Sequence, residues 1–105
     1  MTHPGDEAGA AKAALEAFLA AAAKEDFAAC YQLLSGPLRE KYTPARLAED
    51  FEAVRGTAQD KLARARAALS EKPRLEQGIA EFPISEHKAV RLVLESGSWK
   101  IAAVE

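Results

Sequence analysis

The chain has 105 residues, 14 Lys and Arg against 16 Asp and Glu, and a formal net charge of -2. That near-balance argues against a generic nucleic-acid binder, which carries a basic surplus. With 49% apolar and 29% charged residues it has the composition of one globular domain, not of a disordered tail. Alanine supplies 24 of the apolar residues, so the core is modest and the bias favours helix, where alanine loses no side-chain entropy.

Residues 1–7 are polar and acidic and read as a flexible leader, with a single domain over 8–105. The leader has neither a charged n-region nor an apolar h-region, and no run of 18 apolar residues follows. The expected location is the cytoplasm, or the periplasm (as a lipoprotein or exported protein) if a leader was removed before Met1. From 8 to 24, Ala11, Leu15, Phe18 and Ala22 step by four, three and four, which is one helix face. Lys24-Glu25-Asp26 breaks the pattern, and Asp26 is an N-cap for a second helix over 27–35 with Phe27, Cys30, Tyr31 and Leu34 as its stripe. Gly36-Pro37 ends that helix, glycine in a left-handed cap and proline unable to continue the ladder. Residues 37–42 fit one more helical turn.

Thr43-Pro44 starts a third helix, with threonine as cap and proline at the first helical position. Leu47, Phe51, Val54, Ala58, Leu62, Ala65 and Leu69 then keep helical spacing, which predicts one long helix over 44–70. Gly56 lies off the stripe and can kink the helix. Residues 62–69 also alternate as an edge strand would, but alanine is a poor strand former. After Pro73 the residues become larger and β-branched. A strand is expected over 75–85, with Ala80, Phe82 and Ile84 on one face, a bulge at Gly78, and Pro83 suited to an edge. A second follows over 89–95 with Val90, Leu92 and Leu94 on one face. Ser96-Gly97 is a hairpin turn signal, and the last strand puts Trp99, Ile101 and Ala103 on one face. Segregated helices and strands predict an α+β layer, three helices against an antiparallel sheet of three to four strands.

Three stretches resemble the NTF2-like (cystatin-like cone) superfamily, in particular its small bacterial members of unassigned function. The first runs Ala14-Leu15-Glu16-Ala17-Phe18-Leu19 and then Glu25-Asp26-Phe27-Ala28-Ala29-Cys30-Tyr31-Gln32-Leu33-Leu34-Ser35. It is similar to the family's first two helices. The second is Thr43-Pro44-Ala45-Arg46-Leu47 into Phe51, similar to its third helix. The third is Val90-Arg91-Leu92-Val93-Leu94-Glu95-Ser96-Gly97-Ser98-Trp99-Lys100-Ile101, similar to its terminal hairpin. The resemblance implies small-molecule binding, dimer-mediated assembly or, in a few branches, acid/base catalysis inside the cone. Only three strand runs are visible, and 56–70 reads as helix where the family often begins its sheet. A reduced cone, or one completed by a second subunit, is therefore implied.

The first function class is a non-enzymatic small-ligand-binding or protein-assembly module, a homodimer through the sheet or the long helix. Its apolar concavity is expected to be lined by Phe18, Tyr31, Phe51, Phe82, Leu92 and Trp99. Tyr31 and Tyr42 join apolar rings to polar tips, a combination found at pocket mouths and equally at core edges. Trp99 fits the core as well as a ligand platform. The second class is a small cone-type enzyme (isomerase, cyclase or dehydratase-like) using His87 or Asp50 with Tyr31. A base must lie within hydrogen-bond reach of its proton and be tuned by burial. The inward strand faces carry no ionisable residue, His87 falls in a turn between strands, and Asp50 and Glu49 fit a solvated helix face.

The third class is an adaptor for an acidic partner. Arg55, Lys61, Arg64, Arg66, Lys72 and Arg74 give residues 55–74 a local surplus of four positive charges. Cys30 is the one cysteine, which excludes an intramolecular disulfide, and His3 and His87 are the two imidazoles, which leaves no metal-ligand set. With no glycine-rich phosphate loop, HExxH or GxSxG, no cofactor is expected.

Overall fold

Helical spacing in the first two thirds and alternation in the last third both become structure, with different boundaries. The computed structural model describes residues 4–71, 73–84 and 88–104. In chain order these form α1 (Pro4–Ala23), α2 (Phe27–Gln32), α3 (Gly36–Lys41), α4 (Pro44–Ala53), α5 (Arg55–Ala68), β1 (Arg74–Glu76), β2 (Ile79–Pro83), β3 (Ala89–Glu95) and β4 (Ser98–Val104). This is an α+β architecture, with five helices where three were expected and a four-stranded antiparallel sheet in the order β1-β2-β3-β4. The expectations placed on His3, Lys72 and His87 lie outside the described residues.

α1 begins at Pro4, inside the segment read as a leader, with proline in the first turn, where its missing N–H is not needed. Ala11, Leu15, Leu19 and Ala22 form its buried line, and Phe18 sits half-buried beside it. The helix closes in a Schellman motif. The Glu25 N–H donates to the Ala22 carbonyl at 3.0 Å and the Asp26 N–H to the Ala21 carbonyl at 2.8 Å, with Glu25 at φ 58. Asp26 caps α2 as its sequence predicts, accepting from the Ala29 N–H at 3.2 Å.

α2 stops at Gln32 rather than running to 35. The reason is the sheet. β4 has an open edge, and the chain straightens to cover it. The Ile101 N–H donates to the Leu33 carbonyl at 2.7 Å and the Ser35 N–H to the Ile101 carbonyl at 2.8 Å. Gly36 then opens α3 instead of ending α2. Its N–H donates to both carboxylate oxygens of Glu95, at 3.0 and 3.2 Å, so a side chain from the end of β3 does the work of an N-cap.

The predicted long helix is two helices. Thr43 caps α4 by accepting from the Arg46 N–H at 3.1 Å. The ladder breaks at Val54, which has φ -128 and ψ 38, and α5 starts at Arg55. A β-branched residue with glycine two positions later is a weak place in a helix. The break lets α4 pack on α2 while α5 packs on α1 and β2. Residues 62–68 are helix, not an edge strand.

The strand predicted over 75–85 is a hairpin. Gln77 at φ 35 and Gly78 at φ 80 form its two-residue turn, so Gly78 is a turn residue and not a bulge. Ser96 at φ 50 and Gly97 at φ 83 make the second such turn, as expected from their sequence. A bulge does occur, in β4. Arg91 pairs with Ala103 and Leu92 with Ile101, leaving Ala102 extra. The slip places Ala103 opposite solvent-facing Arg91, off the face of Trp99 and Ile101. The inward face of Ala80, Phe82, Val90, Leu92, Trp99 and Ile101 is buried against Leu15, Leu19, Leu34, Ala65 and Ala68. Leu94 shares that face, pairing with Trp99 as expected, but is 44% exposed. On the outward face Glu81 stands between Arg74 and Arg91, and Arg91 pairs with it at 3.1 Å.

Gly78→Ala places a Cβ at a left-handed φ and is expected to destabilise the fold by about 1–2 kcal/mol. Gln77→Asn, which puts the preferred Asn-Gly pair at this turn, is expected to stabilise it by about 0.5 kcal/mol. Urea midpoints of the two variants check both signs.

Candidate functional site

A largely apolar hollow lies among the helices. α1, α2, α4 and α5 enclose a groove of about 250 Å³, open to solvent. Phe18 and Ala22 come from α1, Phe27 and Cys30 from α2, Leu47 and Phe51 from α4, and Ala58 and Leu62 from α5. The polar groups at its border are Tyr42, Asp50 and Lys61. Val54, at the helix break, completes the rim and is 52% exposed. An exposed valine beside half-buried phenylalanines leaves apolar surface in contact with water, which favours an occupant. Phe51, Leu62 and Ala22 also border a second hollow of about 290 Å³, where Glu25, Gln59 and Arg66 bring polar character.

Arg55 holds this arrangement together. Its guanidinium donates to both Glu25 carboxylate oxygens, at 3.0 and 3.3 Å, and also pairs with Glu52. Its Cζ lies 5.2 Å from the Phe51 ring centroid, and the Phe51 and Phe27 rings meet tilted at 5.5 Å. One side chain thus ties the α1–α2 turn to the α4–α5 break. Hydrogen bonds from Arg55 hold the Glu25 carboxyl below its ordinary range, and the same pairs raise the Arg55 value.

Cys30 forms part of the groove wall but is only 3% exposed, with its Sγ 4.0 Å from the Phe18 carbonyl oxygen. Burial, then the charge of Asp26, pushes the thiol up to about 11. It is a packing thiol and not a poised nucleophile.

Of the expected pocket residues, Phe18 and Phe51 line the groove. Phe82, Leu92 and Trp99 are core side chains that fill the space between sheet and helices, and Tyr31 is half-buried against the same core. Phe27, Leu47, Val54 and Leu62 were visible only as members of helix stripes, and spacing alone does not separate a stripe that packs from one that borders a hollow. Asp50 is at the groove but pairs with Arg46 at 3.5 Å, and Tyr31 is not among the groove residues. The structure therefore does not bring Asp50 and Tyr31 together there. Ser35 is the one buried polar side chain among the described residues.

The basic residues of 55–74 are spread out. At roughly 100° per residue, Arg55 and Arg66 share one side of α5, and Lys61 and Arg64 point elsewhere. Arg64 pairs with Asp60 at 2.8 Å, Arg66 borders the second hollow, and Arg74 is on the sheet opposite Glu81. Among the described residues no three His, Cys, Asp or Glu side chains gather as a metal site, and no helix is long and apolar enough to cross a membrane.

Glu25 occupies a left-handed position where glycine is ordinarily preferred. Glu25→Ala loses the clasp and keeps the backbone cost, whereas Glu25→Gly loses the clasp but removes that cost. Melting temperatures are therefore expected in the order Glu25→Gly above Glu25→Ala. The depressed Glu25 value means that the clasp stabilises above the ordinary value of 4.5 and is lost as pH falls through the folded value. The acid limb of stability is accordingly expected to be shallower in Glu25→Gln, as read by melting temperature against pH. For Cys30, folded and unfolded chains differ in protonation between 9.0 and about 11. The unfolded chain ionises first, so stability falls with rising pH across that window, and Cys30→Ala flattens the fall. The raised thiol slows disulfide exchange by about tenfold, after the stronger nucleophilicity of a more basic thiolate is counted. Reaction with an aromatic disulfide reagent at pH 8, native against urea-unfolded, measures at least this ratio.

The chain matches no protein-family model, no curated protein and no solved structure, so its function is argued from the groove and its surroundings.

Proposed function

We propose that this protein is a non-enzymatic binding module whose receptor surface is the groove between α1, α2, α4 and α5. The carrying observation is that the lining is aromatic and aliphatic, with polar groups only at its border. Ligand sites combine such a lining with a few polar groups that orient the occupant. Acid/base catalysis needs a base held within reach of its proton by a partner. Asp50 is instead half-exposed and paired with Arg46, so a binding role fits the groove better than an isomerase or dehydratase role.

The element order supports a reduced NTF2-like cone, since helices precede an antiparallel meander and α1 packs on β4. In this reading the space a full cone leaves open is filled by Phe82, Leu92 and Trp99, and binding has moved to the helical side. The adaptor reading has less support, because the basic residues divide between α5, a hollow and the sheet.

Ala58 is half-buried on the groove wall, and Val54 is exposed on its rim. Ala58→Phe is expected to fill the groove, and Val54→Glu to make its mouth polar. Amide chemical shifts followed during titration with small apolar fragments are expected to move along α1, α2, α4 and α5 in the wild type. The two variants, with melting temperatures close to wild type, are expected to lose these shifts. Shifts confined to the sheet, or unaffected by either variant, would place binding elsewhere.

A further inference from the structure

We infer that the groove accepts a free medium-chain carboxylate, its hydrocarbon chain against Phe18, Phe27, Phe51 and Leu62 and its head group at Lys61. This rests on the groove being the receptor surface. Two observations select the head group. Asp50 and Lys61 are the two charged groups at the border, and they differ in what they already contact. Asp50 is paired with Arg46 one helical turn away at 3.5 Å. Lys61 has no carboxylate within salt-bridge distance among the described residues. Its helix offers none, since Thr57, Ala58, Arg64 and Ala65 occupy the positions three and four away. The charge left for an occupant is therefore positive.

Size selects the chain. At about 30 Å³ for each water-sized group, a groove of about 250 Å³ holds roughly eight methylene or methyl groups. That is a short hydrocarbon chain and not the apolar face of a helix, which lays several side chains over two or more turns. Glu49, Asp50 and Glu52 are exposed on α4, and their charge repels a many-charged anionic bilayer more strongly than a single carboxylate.

The test is a titration of the full chain at low ionic strength with n-octanoate, n-octanol and n-octylamine. It is read by amide shifts and calorimetry on wild type, Lys61→Gln and Asp50→Asn. Lys61 and Asp50 are both exposed, so the variants keep the fold, and melting temperatures verify this. Wild type is expected to bind octanoate about two- to fivefold more tightly than octanol, the range of an exposed ion pair. Lys61→Gln equalises the two, and Asp50→Asn tightens octanoate. Along a series of carboxylates, affinity rises up to about fourfold per methylene and levels off near eight carbons. Equal binding of octanoate and octanol by wild type, or tightest binding of octylamine, overturns the anionic head group while the groove stays the receptor surface. No shifts along α1, α2, α4 and α5 with any of the three probes overturns both.

Discussion

The change of direction at Val54 is the constraint on which the helical half depends. A single straight helix over 44–70 would present its stripe to one partner. The break gives α4 to α2 and α5 to α1 and β2, and the apolar side chains on its two sides border a common hollow. Arg55, the first residue beyond the break, secures it. Each of its contacts is a surface contact, of a kind that contributes little alone. They converge on one guanidinium, whose planar fork serves carboxylates edge-on while its face lies over an aromatic ring. Glu25 answers from a backbone position that ordinarily favours glycine, and its carboxylate supplies the reason for a side chain there.

The sheet side follows from close approach and edge protection. Ala11, Ala65, Ala68 and Ala80 are fully or almost fully buried, and their small side chains let α1 and α5 come near the strands. Phe82, Leu92 and Trp99 are then buried in the layer between sheet and helices. β4 is shielded on its outer edge by residues 33–35, and β1 at the other edge is three residues long. Short or covered edges limit strand-to-strand association between molecules. Glu95 joins the two halves by capping α3 from the end of β3.

The resulting molecule separates a filled, apolar core from an open, mostly apolar groove. Charge is confined to the groove's rim, and the one thiol in its wall is held protonated by burial. These features agree with the proposed recognition of an apolar chain with one polar end.

Much of the fold is legible residue by residue. Alanine-rich 3.6-residue spacing predicts α1, and Asp26 and Thr43 mark their helices because a cap is a contact across three residues. Ser96-Gly97 marks its turn because two positive φ angles need those residue types. Gly78 was misplaced as a bulge because Gln-Gly is a less common form of the same turn. Phe18 and Phe51 border the groove, but the sequence reading assigned them to one concavity together with Phe82, Leu92 and Trp99. Both groups are large apolar residues at regular spacing, and the pattern is identical for a side chain that fills a core and one that borders a hollow.

The sequence by itself therefore determined the element types, most caps, one hairpin turn and most of the inward strand residues, all of which follow from interactions within a few residues. The tertiary structure decided the break at Val54, the straightening of residues 33–35, the slip at Ala102 and the place of the groove. Those depend on pairs such as Arg55 with Glu25, 30 residues apart, and Gly36 with Glu95, 59 apart. Such pairs leave no local periodicity to read, because only the packed chain brings them within hydrogen-bond distance.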